Sequence, residues 1–111
     1  MTISPKNIIP AKRAENSQTT QYTAPANTTV LIDKFVAHNS TASAAILTVN
    51  LAPEGGTAGT SNQIVKKSLA ADESYTFPEI VGNVLDTGDF ISCIADTASA
   101  ITIIASGREV T

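Results

Sequence analysis

The apolar positions of this chain come in short runs, and none of them has the period of a helix. Ala44 to Leu51 shows the pattern most plainly: Leu47, Val49 and Leu51 fall on one face and Ile46, Thr48 and Asn50 on the other, the alternation of a half-buried strand. Gln18 to Ala24, Gln63 to Leu69 and Glu73 to Phe77 read as further strands, separated by Pro25-Ala26-Asn27, by the glycine-rich Pro53 to Asn62 and by Ala70-Ala71-Asp72. Val30 to Asn39 is the longest candidate. Its apolar residues fall on both parities, which predicts an inner strand covered on both sides for part of its length, and Asn39-Ser40-Thr41 turns it into Ala44 to Leu51 as a first hairpin. Phe90 to Ala95 and Ala100 to Ala105, rich in β-branched residues and joined by Asp96 to Ser99, predict a final hairpin with Ile91, Ile94, Ile101 and Ile103 buried. Glu79 to Leu85 reads as one irregular or helical turn, too short for an independent helix, and Gly107 to Thr111 trails off.

Seven or eight short strands at fairly even spacing, with no helix, predict an all-β fold: an antiparallel β-sandwich of jelly-roll type. The first 17 residues break the pattern. Met1 to Ser17 shows neither period, and Pro5 and Pro10 each remove a backbone donor, so residues 1–17 are expected to form an extended N-terminal arm on a body of residues 18–111. The arm holds Lys6, Lys12 and Arg13 against Glu15, a net +2 in a chain whose net charge is −3, which leaves −5 for the body. Ile8 and Ile9 have no place in a solvated tail, so they anchor the arm elsewhere.

Composition narrows the function. Charged residues make up 15% of the 111, against a usual quarter, and small uncharged residues abound, a surface suited to close protein contacts. No basic stripe or aromatic series supports nucleic-acid binding, and no apolar run nears the roughly 18 residues of a membrane span. The one cysteine, Cys93, lies in an apolar run and reads as a small buried side chain. The chain therefore reads as soluble and unprocessed, with no nucleic-acid or membrane partner expected.

Candidate chemistry is sparse. Val84-Leu85-Asp86-Thr87-Gly88 resembles the catalytic loop of retroviral-type aspartic proteases, in which two carboxylates share one proton. In that family the motif lies near the start of a domain of this size, whereas only 23 residues follow Gly88 here, so Asp86 to Asp89 reads as a turn whose glycine supplies positive φ. His38 is the only histidine and cannot build a metal cluster by itself. Asp86, Asp89 and Asp96 match no calcium loop in spacing, and Gly55, Gly56 and Gly59 lack the Lys-Ser/Thr ending of a phosphate loop. No catalytic, metal or cofactor site is expected.

Four segments together carry a resemblance: Tyr22-Thr23-Ala24-Pro25-Ala26-Asn27-Thr28-Thr29 with the strand after it, Leu51-Ala52-Pro53-Glu54-Gly55-Gly56, Val84-Leu85-Asp86-Thr87-Gly88-Asp89, and Ala105-Ser106-Gly107-Arg108-Glu109-Val110. Over residues 20–110 the chain resembles the small capsid decoration, cement or staple proteins of tailed phages, in particular those of short-tailed phage heads. The resemblance implies a virion structural protein that is made in the host bacterial cytoplasm. It would sit on the outer capsid surface, pair as a homodimer and clamp neighbouring major capsid subunits. The arm would then carry the capsid contact, through Lys6, Lys12 and Arg13 against acidic groups and Ile8 and Ile9 in apolar pockets. The alternative is a tail or fibre module, or a β-sandwich that binds host glycans.

Overall fold

A computed structural model describes all 111 residues, Met1–Thr111. The chain is an antiparallel β-sandwich of nine strands: β1 (Ile3–Arg13), β2 (Thr19–Thr23), β3 (Thr29–Asn39), β4 (Ala45–Ala52), β5 (Gln63–Leu69), β6 (Ser74–Thr76), β7 (Val84–Leu85), β8 (Phe90–Ala95) and β9 (Ile101–Val110). One sheet runs β1-β9-β3-β6, with β7 also paired to β3; the facing sheet runs β2-β8-β4-β5. Between them lies one apolar core that includes Ile9, Ile32, Phe35, Leu47, Leu69, Phe77, Ile91, Cys93, Ile101 and Ile103. Phe35 and Phe77 meet edge to face at 5.2 Å, a geometry that places the positive rim of one ring against the negative face of the other.

The expected strands are present, but their pairing differs in two places. The run Phe90 to Ala95 bonds to β2 and β4, whereas Ile101 to Val110 bonds to β1 and β3, so the expected final hairpin is a crossing between sheets. The expected hairpin of Val30 to Asn39 with Ala44 to Leu51 is a second such crossing, since β3 and β4 also lie in different sheets. Adjacent runs with buried faces can meet across a core as readily as side by side, and short turns permit both. The one hairpin joining long strands is β4–β5, closed by the glycine-rich loop.

Apolar parity is explained by bulges. In β3 the buried residues are Val30 and Ile32, then Phe35, Ala37 and Asn39, and the switch of parity coincides with a register shift between Ile32 and Lys34. A bulge puts two residues opposite one, so the side chains beyond it change face. β3 is thus an inner strand buried on one face, not two. Ile94 follows the ordinary alternation of β8 and lies half-buried on the outer surface, while Ile91, Ile101 and Ile103 are buried as expected.

The N-terminal residues make the largest departure. Ile3–Arg13 is not an arm but an edge strand of the five-stranded sheet, in register with β9 from Ile3 opposite Val110 to Arg13 opposite Thr102. The sandwich therefore begins at Ile3 and not at residue 18, and β9 continues through the expected tail to Val110. Two register shifts, between Lys6 and Ile9 and between Ile9 and Lys12, erase any alternation the sequence would show and allow the neighbours Ile8 and Ile9 both to be buried. Pro5 fits an edge. Thr2 and Thr111 exchange both backbone hydrogen bonds at 2.9 Å, so Pro5, three residues on, sits at a position whose missing N–H would point away from β9.

Candidate docking surface

The five residues expected to contact a partner are mostly engaged within the sandwich. Ile8 and Ile9 are in the core, 3% and 1% exposed, and cannot seat in another protein's pockets. Lys12 Nζ pairs with Glu15 Oε2 at 2.8 Å, and the Arg13 guanidinium donates to the Ser99 carbonyl. The Lys12 ammonium, followed by a hydrogen bond from Gln21, holds the Glu15 carboxyl below the usual range. Of these three cations only Lys6, which is exposed, makes neither an ion pair nor a side-chain hydrogen bond.

The tripeptide that invited a catalytic reading is a turn. Asp89 N donates to Asp86 O at 2.9 Å across Thr87 and Gly88, and Gly88 has φ +87°, the positive value that a type II turn needs at its third residue. Every other contact there is also structural. Thr87 Oγ1 accepts from Thr28 N and donates to Thr28 O, and Asp89 accepts from Asp86 N and Glu54 N. Asp96 lies at the other end of β8, roughly 20 Å away at about 3.4 Å per residue. Its carboxylate accepts from Ile46 N, so the three aspartates do not converge.

His38 Nδ1 lies 2.7 Å from Ser74 Oγ, a nucleophile-and-base distance. The two residues are register partners on β3 and β6, so the contact is a cross-strand bond on an open sheet face, without a third group to orient the imidazole. Cys93 is fully buried, and burial, with a smaller push from the Glu15 carboxylate, raises its thiol to about 12. Native protein is therefore expected to leave Cys93 unmodified by a thiol-reactive disulfide at pH 8. It should release one equivalent of chromophore only on unfolding; prompt reaction of the folded chain would contradict this burial.

What the folding does assemble is a surface on the outer face of the five-stranded sheet. Ile104 on β9, an inner strand, is 42% exposed there. Val36 and Lys34 on β3 and Ser106 on β9 line a shallow hollow with it. Ser106 also borders a second hollow formed with Lys6, Asp33 and Arg108, so the two join into one stripe. Arg108 grips Asp33 in a two-pronged pair at 2.9 and 3.0 Å, which holds the Asp33 carboxyl below its ordinary range and leaves Lys6 and Lys34 as the free charges. The strands of this sheet carry Lys6, Lys12, Arg13, Lys34 and Arg108 against Asp33 and Glu109, a net +3, so the rest of the chain carries −6. An apolar residue bordered by unpaired cations suits an acidic protein surface with a small apolar patch.

Sequence reading missed this stripe because Ile104 was counted as part of an apolar run. The signal was present: in a strand whose Ile103 faces the core, Ile104 must face outward.

No protein-family model matches the chain, and no curated protein does either. Among solved structures, the chain is similar to one described as Bacillus endospore appendages that form a family of disulfide-linked pili. Identity is 15%, coverage is 99% of this chain and 88% of that one, and the TM-score is 0.54. It also aligns with chains from infectious bursal disease virus. The Gt strain gives 10% identity, coverage of 97% and 32%, and a TM-score of 0.38; the Gx strain gives 10%, 97% and 30%, and 0.42. The likeness to the appendage protein is one of fold.

Proposed function

We propose that this protein is a structural component of a tailed-phage virion that binds the outer capsid surface and clamps neighbouring major capsid subunits. The observation that carries the proposal is the Ile104 stripe, a positively charged face on an otherwise acidic sandwich, joined to the resemblance over residues 20–110. The strand orders β1-β9-β3-β6 and β2-β8-β4-β5, with crossings at most connections, support reading the sandwich as jelly-roll-like. The contact once assigned to an arm passes to the sheet face, since Ile8 and Ile9 are held in the core. A ligand that binds only the assembled shell stabilises that shell by mass action. Pairing of two copies on the capsid belongs to the same reading, as does the absence of any catalytic step, cofactor, nucleic-acid or membrane partner. A disulfide-linked assembly is the weaker alternative, because the single cysteine lies inside the core.

The test is co-sedimentation with phage heads stripped of decoration. Ile104→Glu and Lys34→Glu change exposed side chains, so both variants should fold. Each is expected to lower occupancy by about tenfold or more, and raised salt should weaken the wild-type protein. Undiminished binding of both variants would rule out this face.

A further inference from the structure

We propose that the groove between the β4–β5 loop and strands β2 and β8, on the sheet opposite the docking face, is a binding site for a neutral saccharide. The groove is open to solvent, has a volume of about 400 Å³ and is lined by Gln18, Thr20, Thr57, Ala58, Phe90 and Ser92, with no ionised side chain among them. One side-chain amide and three hydroxyls beside a single phenyl ring are the complement of a sugar ring, which has hydroxyls around its edge and a face of C–H groups. An anionic ligand finds no cation here.

The walls are fixed by the protein's own hydrogen bonds. Asn50, 2% exposed, donates from Nδ2 to Gly59 O and Asn62 Oδ1, both at 2.9 Å. Asn62 in turn donates to Thr57 O at 3.0 Å and accepts from Gly59 N at 3.1 Å, so the loop is strapped to its sheet. On the floor, Ser92, also 2% exposed, accepts from Gln18 Nε2 at 2.7 Å and donates to Thr19 O at 3.1 Å. That sets the rotamer of Gln18. Its Oε1 and the hydroxyls of Thr20 and Thr57 make no bond within the chain and are available to a ligand. Phe90 follows the alternation of β8, pointing outward with Ser92 and Ile94 while Ile91 and Cys93 point inward. A site whose walls are set before the ligand arrives loses less entropy on binding, which a shallow groove needs.

The site does not rest on the capsid proposal, although the two are compatible. In a two-layer sandwich docked through one outer face, the other faces solvent.

The experiment is an NMR titration of the isotope-labelled free protein with glucose, galactose, mannose and N-acetylglucosamine, and separately with a neutral bacterial surface polysaccharide. Amide shifts are expected at Gln18, Thr20, Thr57 and Phe90 and not at Ile104, with a dissociation constant on the order of 1–10 mM for a single sugar. Tighter binding of the polymer would name the bacterial envelope as the source; equal binding would name free sugar. Phe90→Ala should weaken the interaction about tenfold, and Thr57→Arg, on an exposed loop with no core role, should block the groove without affecting folding. The proposal is overturned by shifts absent for every sugar, by shifts confined to another surface, or by shifts that survive Thr57→Arg.

Discussion

Deletion of residues 2–15 is expected to abolish cooperative unfolding of the whole chain. The deleted segment contains β1, which supplies Ile8 and Ile9 to the core, and Ala14, buried just after it. Burying two isoleucines is worth about 3–6 kcal/mol, a large share of the roughly 5–15 kcal/mol by which a domain is stable. The deletion also strips β9 of its partner along most of its length and exposes an inner strand as a raw edge. Two links to the rest of the sandwich go with it: Ala14 N donates to Ile101 O at 2.8 Å, and Ala95 N donates to Glu15 O at 2.9 Å. The truncated chain should aggregate or show a sloping, non-cooperative melt by circular dichroism. A sharp transition near that of the full chain would mean that β1 is dispensable, and would reinstate the reading of residues 1–17 as an arm.

Gly107→Ala is expected to destabilise the protein by about 3 kcal/mol and to lower its melting temperature by about 10–20 °C. Gly107 is buried in β9, opposite Lys6 on β1 and Ile32 on β3. A Cβ there would lie 2.0 Å from the Leu31 carbonyl oxygen and 2.6 Å from Ile8 Cδ1. Side-chain rotation relieves only the second contact; the first is with backbone, so β3 or β9 must move. The position lies beside the register shift between Ile32 and Lys34, and a glycine in a strand marks such a bulge or a close backbone approach. Thermal or urea unfolding of the variant measures the loss, and a melt within about 2 °C of wild type would show that the sheet has room there.

These two expectations rest on information that short-range patterns do not carry. β1 was invisible as a strand because its bulges break the alternation and its prolines imitate a solvated tail. Both features are tolerated in an edge strand, since an edge needs backbone donors on one side only. Gly107 looked like the end of the chain's order, because a lone glycine does not say that another backbone will approach within 2.0 Å of its missing Cβ. The candidate docking stripe had the same fate. Lys34, Val36, Ile104 and Ser106 become neighbours only when β3 and β9, more than 60 residues apart in the chain, lie side by side.

Local chemistry was legible elsewhere. The type of each strand from β2 to β6 follows from two-residue alternation and β-branched content, and its bounds from proline, glycine and asparagine turns, because these are properties of a residue and its nearest neighbours. The same holds for Asp86 to Asp89, where the turn's hydrogen bonds close within four residues and glycine alone tolerates the φ of +87°. By itself the sequence determined that the protein is an all-β sandwich with a buried cysteine and a turn at Asp86. Only the tertiary structure decided which strands pair, that the first residues are core rather than arm, and which outward side chains form a face. Pairing is a choice among many distant partners of similar local merit, and that choice is made by the fit of the two sheets around one core.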